Sequence, residues 1–275
     1  MSMEVRNFWK MSGGGNDFIV IDHRVPWIAP DRLSDFVTRI CRRGLSVGAD
    51  GLILIEPSEN ASYAWRFFNN NGKEAEACGN GSRCVARFAV LQHIAPPQHA
   101  FETQVGLVHA EVQENGRVRV RLPDPSEPCL SILLEGIAPL GAFINTGVPH
   151  FVCLVEDVDA IDVAHLGSKI RGHAHFAPQG TNVNFVEITG EKTLKIRTYE
   201  RGVEAETLAC GTGAIAAAII ATATRDMRPP IQLQTRSGIA LEVDFRYAHQ
   251  KATEVFLEGD ARIIFTGEFH DEALL

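Results

Sequence analysis

Two short segments of this chain repeat one pattern, and their repetition restricts the fold more than any other feature of the sequence. They are Cys78-Gly79-Asn80-Gly81 and Cys210-Gly211-Thr212-Gly213, whose cysteines lie 132 positions apart (210 − 78) in a chain of 275 residues. Each cysteine opens a Gly-x-Gly turn that runs into an alanine-rich helical stretch. A repeat at half the chain length indicates two copies of one fold unit, because a solenoid would need more than two repeats.

Further matches at the same offset favour a duplication. The matched pairs are Glu74 with Glu206, Ala77 with Ala209, Thr103 with Thr235, and Gly106 with Gly238. Both helical stretches also stop at paired prolines, Pro96-Pro97 and Pro229-Pro230, since proline does not continue a helix. We therefore predict an N-terminal half at residues 1–125, with 262–275 as a candidate addition to it. The C-terminal half is predicted at residues 126–261, with the active site in the cleft between the halves.

Composition and charge exclude several classes of protein. The chain is 45% apolar, which is enough for packed cores, and its formal net charge of −8 makes nucleic acid or an anionic membrane an unsuitable partner. No apolar run reaches the roughly 20 residues of a membrane span, and residues 1–10 lack the apolar region of a signal peptide. The sequence therefore predicts a cytoplasmic protein whose six cysteines are thiols.

The order of strand-like and helical segments predicts an α+β fold. Short runs of β-branched and aromatic residues alternate with turns, and each half has one principal helix after its Cys-Gly-x-Gly segment. A further helix is predicted over residues 31–43, and strands over 239–245 and 254–265. The regular alternation of strand and helix that a Rossmann fold requires is missing. We predict two pseudo-symmetric halves, each a curled mixed β-sheet wrapped around a central helix.

A cysteine at the start of a helix suits acid–base chemistry. Amide N–H groups at a helix N-terminus stabilise a thiolate and lower the pKa of the thiol from about 8.5, and glycines let these amides approach an anion closely. Two such helix ends could hold one carboxylate and place its α-carbon between two sulfurs. One thiolate would remove the α-proton from one face, and the opposite thiol would return a proton to the other face. No cofactor is needed for such a reaction.

Longer motifs in the chain resemble those of the diaminopimelate epimerase family. The motifs are KMSGGGNDF (10–18), FNNNGKE (68–74), CGNGSRC (78–84), NTGVPH (145–150), YERG (199–202) and ACGTG (209–213). They occur in the family's order, and the chain length also fits. The resemblance implies interconversion of LL- and meso-2,6-diaminopimelate without pyridoxal phosphate or metal, in the synthesis of lysine and peptidoglycan. It also implies a homodimer.

The resemblance further implies roles for single residues. Cys78 and Cys210 match the two catalytic bases, while His150 and Glu200 match catalytic groups that support the thiols, His150 beside Cys78 and Glu200 beside Cys210. The residues that match the group holding the reacting carboxylate are Gly79, Asn80, Gly211 and Thr212. Those that match the remaining substrate-binding residues are Asn16, Asn69, Asn182 and Arg201. A guanidinium suits the distal carboxylate of such a substrate, because it can bind both oxygens.

Three residues depart from the common family pattern, all at or near the expected distal pocket. Ser12 stands where many members have histidine, Gly51 where some have glutamine, and Val148 where some have asparagine. These departures bear on how the substrate is recognised more than on proton transfer.

Two other functions remain compatible with the residues. One is a cysteine-pair racemase, epimerase or related isomerase for another amino acid; the other is a binding protein whose two helix ends hold an anion. Arg201 with Asn69 and Asn182 favours a long substrate that is zwitterionic at both ends. The pair of cysteines argues against simple binding, since serine or threonine would serve there equally well.

Overall fold

The computed structural model describes residues 6–76, 78–137 and 140–275. The chain folds into two compact units. Unit 1 contains the described residues up to Val120 together with Asp260–Leu275, and unit 2 is Arg121–Gly259. The sequence places the change from one half to the other at residue 125.

Strands outnumber helices in both units. In chain order they are β1 (Asn7–Gly13), β2 (Asn16–Asp22), β3 (Gly51–Glu56), β4 (Ala64–Asn69), β5 (Glu74–Ala75), β6 (Gln98–Thr103), β7 (Gly106–Val112), β8 (Val118–Arg121), β9 (Cys129–Ile132), β10 (Gly141–Asn145), β11 (Pro149–Leu154), β12 (Asn182–Gly190), β13 (Thr193–Glu200), β14 (Ala205–Thr207), β15 (Ile231–Gln234), β16 (Ala240–Ala248), β17 (Lys251–Gly259) and β18 (Arg262–Glu268). The α-helices are α1 (Leu33–Ile40), α2 (Gly79–Leu91), α3 (Val163–Arg171) and α4 (Gly211–Arg225). Short 3₁₀ helices lie at Pro30–Arg32, Ala174–Phe176 and Asp271–Leu274.

The two units repeat one order of strand pairing. In unit 1, β2 is parallel to β3, β3 is antiparallel to β4, and β4 pairs antiparallel with β5 and parallel with β6. In unit 2, β11, β12, β13, β14 and β15 pair with the same directions in the same order. The helix that follows β5 is α2, and the helix that follows β14 is α4. The duplication is therefore confirmed, as is the α+β fold with a mixed sheet in each half.

The two helices that begin at the Cys-Gly-x-Gly segments are enclosed by their own units. Every residue of α4 from Gly213 to Ala221 is buried, and α2 is buried from Asn80 to Ala86. A helix that is apolar on all sides is stable only inside protein, and the many alanines of α4 let strands approach it closely. No helix in the described part of the chain combines the length and the hydropathy needed to cross a membrane.

The opposite face of each sheet packs on a second helix. In unit 1, Ile19 and Ile21 of β2 join a buried cluster with Leu33 and Val37 of α1. Ile53 of β3 belongs to the other face, since its side chain lies against the first turn of α2. Neighbouring residues of a strand point to opposite faces, so the almost continuous apolar runs in these strands follow from burial on both sides. In unit 2, α3 packs on an equivalent cluster.

The end of the chain differs from the sequence prediction. The predicted strand at 254–265 is two strands, β17 and β18, which are separated at Asp260 and Ala261. β17 pairs with β16 inside unit 2, whereas β18 pairs antiparallel with β1 inside unit 1. The predicted helix at 31–43 is also shorter, because α1 ends at Ile40. A strand whose partner lies at the other end of the sequence leaves no local signal of that pairing.

Candidate active site

Cys78 occupies the N-cap position of α2. Its backbone is extended (φ −154°, ψ 109°), and the first helical turn begins directly after it. The Gly81 amide donates a hydrogen bond to the Cys78 sulfur at 3.4 Å, and the cysteine is partly buried. The sulfur therefore lies at the positive end of the α2 dipole, where a thiolate is stabilised.

A chain of hydrogen bonds joins the first turn of α2 to the start of β2. Arg83 Nη2 donates to Asn80 Oδ1 at 2.7 Å, Asn80 Nδ2 donates to Asn16 Oδ1 at 2.7 Å, and Asn16 Nδ2 donates to Asp50 Oδ2 at 3.1 Å. We call these four residues the Arg83–Asp50 chain. It brings together two predicted substrate-binding residues, Asn16 and Asn80. Arg83 and Asp50 were not among the residues that the sequence indicated.

Asn69 lies at the exposed end of β4, where it is paired with Gly51 of β3. A Cβ atom at Gly51 would lie 2.5 Å from the Phe68 carbonyl oxygen and 2.7 Å from Phe67 Cε2. Backbone cannot give way as a flexible side chain can, so a glutamine at this position requires β4 to move. The departure from the family pattern at Gly51 thus has a steric reason inside unit 1.

Cys210 occupies the N-cap position of α4 in the same extended conformation (φ −126°, ψ 112°), with its sulfur 3.4 Å from Thr212 Oγ1. Although the residue keeps partial exposure, burial of the thiol and the negative charge of Glu200 raise its pKa to about 12. The Thr212 hydroxyl and the amides of Thr212 and Gly213 lower this pKa, but by less. The expectation of a lowered pKa is therefore wrong for Cys210, because desolvation outweighs the helix amides.

Glu200 ends β13, the strand that precedes the loop to β14. Burial raises the pKa of its carboxyl group, and the nearby Thr207 hydroxyl offsets part of that rise. The effect of Glu200 on Cys210 shows that the carboxylate and the thiol lie within electrostatic range in unit 2. A negative carboxylate beside a thiol favours the protonated sulfur.

We expect Glu200→Gln to increase the reactivity of Cys210. Loss of the carboxylate charge lowers the pKa of the thiol, so at pH 8, below that pKa, a larger fraction is thiolate. The rate of alkylation should rise roughly severalfold, since each pKa unit changes the thiolate fraction tenfold. Iodoacetamide labelling read by peptide mass spectrometry measures this rate. Glu191→Gln, an exposed glutamate in the turn that precedes β13, is the matched control; equal rates in both variants would contradict the prediction.

His150 is fully buried on β11, where it lies beside Asn182 of β12. Burial and the positive charge of Arg201 lower its pKa to about 3, so the imidazole is neutral at physiological pH. Its Nδ1 accepts a hydrogen bond from Asn184 Nδ2 at 3.1 Å, which leaves the proton on Nε2. Within the described ranges Nε2 has no hydrogen-bond partner. The place of His150 beside Cys78 stays a prediction.

Asn184 is a buried residue that the sequence did not single out. Its Oδ1 accepts from the Thr198 hydroxyl at 3.0 Å, and its Nδ2 also donates to the Phe151 carbonyl at 3.2 Å. A Cβ atom at Gly213 would lie only 2.4 Å from Asn184 Oδ1, so the second glycine of the segment is needed for this close approach. Asparagine at two alternate positions of a buried strand was the signal available in the sequence.

Asn182 fixes the start of the turn that carries Arg201. Its Oδ1 accepts from the Arg201 backbone amide at 2.8 Å, and its Nδ2 donates to the Pro149 carbonyl at 3.0 Å. The Arg201 guanidinium contacts the Gln179 carbonyl at 3.3 Å and stays partly exposed. At the start of α4, the Thr146 hydroxyl donates a hydrogen bond to the Thr212 carbonyl at 3.1 Å.

In the described ranges, no group of three or more His, Cys, Asp or Glu residues has the arrangement of a metal site.

Comparison with known proteins agrees with these motifs. The profile of the family described as diaminopimelate epimerase matches residues 8–126 and 142–264. Diaminopimelate epimerase of Aquifex aeolicus (strain VF5) is 48% identical over 97% of this chain and 99% of that relative. The protein of the same name from Hydrogenobaculum sp. (strain Y04AAS1) is 43% identical over 94% and 96%.

Among solved structures, a Bacillus anthracis phenazine biosynthesis protein of the PhzF family shares the fold. Its TM-score is 0.73 at 14% identity, covering 98% of this chain and all of that one. The match at such low identity concerns the fold alone, whereas the two relatives and the profile concern the sequence. On their evidence, this chain belongs to the diaminopimelate epimerase family.

Proposed function

We propose that this chain interconverts LL- and meso-2,6-diaminopimelate by moving the α-proton between Cys78 and Cys210, without pyridoxal phosphate or metal. One observation carries the proposal: each unit presents a cysteine at the N-cap of its enclosed helix, at equivalent places in the duplicated fold. A reaction that takes a proton from one face of a carbon and returns one to the other needs two such groups. The step serves the synthesis of lysine and peptidoglycan.

In the proposed reaction the two sulfurs start in different protonation states. The raised pKa of Cys210 keeps it as a thiol at neutral pH, so Cys78 is the base in the first direction. The Cys78 thiolate takes the α-proton, the electron pair is delocalised into the carboxylate, and the Cys210 thiol delivers its proton to the opposite face. Afterwards Cys78 carries a proton and Cys210 is a thiolate, which is the form that catalyses the reverse reaction.

The first turns of α2 and α4 bind the reacting carboxylate in this proposal. Amides of Gly79 and Asn80 on one helix and of Gly211 and Thr212 on the other belong to the N-terminal turn, where helix amides lack intrahelical partners. Negative charge that develops on the carboxylate as the α-proton leaves is stabilised by these donors. His150, neutral and buried, supports the thiol chemistry without adding a charge.

The distal end of the substrate distinguishes this function from racemisation of a shorter amino acid. Arg201 and Asn182 are held together by the hydrogen bond between the Asn182 side chain and the Arg201 amide. With Asn16 and Asn69, they supply donors and acceptors for a second amino-acid group. A cyclic substrate such as proline has no group to engage them.

Deuterium uptake at the α-carbon tests the function. The purified protein is incubated in D₂O with LL-diaminopimelate, meso-diaminopimelate, L-proline or L-lysine, and uptake is read by NMR. We expect rapid exchange and epimerisation with the two diaminopimelates only. Exchange with proline or lysine at a comparable rate would instead support a racemase of other specificity, and exchange with none of them would support the anion-binding alternative.

We also propose that two copies associate and that the protein works in the cytoplasm, where reduced thiols persist. Support for association comes from β18, whose residues Ile263, Ile264 and Phe265 are 37%, 53% and 47% exposed. Three consecutive apolar side chains at such exposure are suited to an interface between copies. Light scattering on the purified protein should give twice the chain mass of 30.1 kDa, and Ile264→Lys should shift it towards the monomer. A monomer at micromolar concentration would contradict the dimer.

A further inference from the structure

Arg83 is a fully buried cation whose hydrogen bonds go to neutral oxygens. Its side chain is 0% exposed. Its nitrogens donate to Asn80 Oδ1 at 2.7 Å, to the Gly79 carbonyl at 3.2 Å and to the Asp260 carbonyl at 3.2 Å. Burying a guanidinium is costly unless its donors are satisfied. Such a group in the second turn of α2 suggests a role beyond packing.

The Arg83–Asp50 chain has a fixed direction because of the groups at its two ends. A guanidinium can only donate hydrogen bonds, and a carboxylate can only accept them. Asn80 must therefore turn its carbonyl oxygen towards Arg83 and its NH₂ group towards Asn16, which in turn directs its NH₂ group towards Asp50. The side-chain amide nitrogens of Asn80 and Asn16 then each keep one N–H that is not used in the hydrogen bonds of the Arg83–Asp50 chain. Two N–H donors on neighbouring amides suit a carboxylate ligand.

Electrostatic interaction links Arg83 to the sulfur at the start of its helix. Burial lowers the pKa of Arg83, while interaction with Cys84, Asp260 and Cys78 raises it. An arginine stays charged at neutral pH even after such a shift. Because the interaction is mutual, the buried cation favours the charged form of Cys78.

The other groups facing Arg83 do not replace it in this role. Cys84 is fully buried, and burial raises the pKa of its thiol, so it is neutral. Asp260 turns its backbone carbonyl to Arg83 and uses Oδ1 to accept from the Gly14 amide at 2.9 Å. The positive charge of Arg117 lowers the pKa of Arg83. Arg83 is therefore the cation that sits closest along α2 to the Cys78 turn.

We propose that Arg83 is a positioning residue for proton transfer at Cys78. Its guanidinium orients the Asn80 and Asn16 amides as carboxylate-binding donors, and its charge supports the Cys78 thiolate. The proposal rests on the proposed function, since it assigns Cys78 as a base and the two asparagines as substrate ligands. The proposal predicts that the charge of Arg83 affects the reactivity of Cys78, whereas the planar donor geometry of its guanidinium affects substrate binding.

The two contributions separate in two variants. Arg83→Gln removes the charge, and glutamine can both donate and accept, so it no longer fixes the direction of the Asn80 amide. We expect alkylation of Cys78 by iodoacetamide at pH 7 to slow roughly tenfold or more, with its pH midpoint moved upwards, and kcat to fall by at least a similar factor. Arg83→Lys keeps the charge but not the planar donor fork. Its alkylation rate should stay within about threefold of wild type, while KM for diaminopimelate rises roughly tenfold.

Arg87 provides the matched control on the same helix. It lies one turn after Arg83 and donates to the Ala261 carbonyl at 2.6 Å, as Arg83 does to that of Asp260. Arg87→Gln should leave the alkylation profile of Cys78 and the KM within about twofold of wild type. Circular dichroism and thermal unfolding establish that each variant folds, and peptide mass spectrometry assigns the label to Cys78.

Each outcome decides the proposal. A folded Arg83→Gln protein with the wild-type alkylation profile and KM overturns it. If that variant does not fold, Arg83→Lys decides: normal alkylation with a raised KM supports the proposal, and a normal KM overturns it. In the wild type, a Cys78 alkylation midpoint at or above about 8.5, the value of an ordinary cysteine, overturns the electrostatic part. Absence of wild-type turnover would refute the proposed function together with the substrate-binding role of the two asparagines, whereas the effect of Arg83 on Cys78 is still decided by alkylation, which requires no substrate.

Discussion

Cys78→Ala and Cys210→Ala should each lose epimerase activity by orders of magnitude. In the proposed mechanism each sulfur serves one face of the α-carbon, so neither can replace the other. A general acid or base typically contributes about 10²–10⁴-fold, and loss of the proton donor or acceptor of a whole face should be at least as severe. The readout is the rate of conversion of LL- to meso-diaminopimelate, followed by chiral chromatography.

Cys129→Ala is the control for this pair of variants. Cys129 is an exposed cysteine on β9, and its loss should leave the conversion rate within about twofold. Near-normal conversion by either Cys78→Ala or Cys210→Ala would exclude proton transfer between two cysteines. The helix ends would then serve only to bind the carboxylate, and other groups would move the proton.

Arg201→Ala should raise KM for diaminopimelate by roughly 10- to 150-fold. The variant removes the charge-assisted hydrogen-bonded contact that we propose between Arg201 and the distal carboxylate, worth roughly 1.5–3 kcal/mol. Arg201→Lys should recover only part of the loss, because an ammonium group cannot bind both carboxylate oxygens in the planar geometry of a guanidinium. Steady-state kinetics with LL-diaminopimelate measure both effects.

The control for Arg201 is Arg225→Ala, an exposed arginine at the end of α4. It changes the net charge equally, so a comparable rise in KM would point to long-range electrostatics. If both Arg201 variants keep the wild-type KM, Arg201 contributes to the turn of Asn182 rather than to the substrate. The His150 pKa provides a second check: it should rise in Arg201→Ala, since the Arg201 charge helps to lower it.

Repetition made the centre of the fold predictable from the sequence. The two Cys-Gly-x-Gly segments locate both enclosed helices, because glycine-rich helix starts and alanine-rich continuations are local features. β18 could not be placed in this way, since its pairing with β1 joins residues about 250 positions apart and depends on the whole chain. The strand pattern at 254–265 could not reveal that the chain passes from one unit to the other at Asp260.

Site residues that act through burial were harder to find than those in motifs. Asn184 and Arg83 are polar side chains that are fully enclosed, and a single arginine on a helix or asparagine on a strand is more often solvated. The direction of the Cys210 pKa was missed for the same reason. Spacing reveals the helix dipole, but the desolvation that outweighs it depends on how tightly unit 2 packs around the thiol.

The return of the chain to unit 1 at Asp260 also sets an order for folding during synthesis. When residue 259 has left the ribosome, unit 2 is complete, but β1 lacks its β18 neighbour and Arg83 lacks the Asp260 carbonyl. The last residues to be synthesised therefore complete unit 1, whose other residues are synthesised first. Because domains fold as they emerge, the surroundings of Cys78 are completed only after those of Cys210. A polypeptide interrupted before residue 260 would hold a finished α4 and an α2 whose buried Arg83 lacks one of its three hydrogen-bond acceptors.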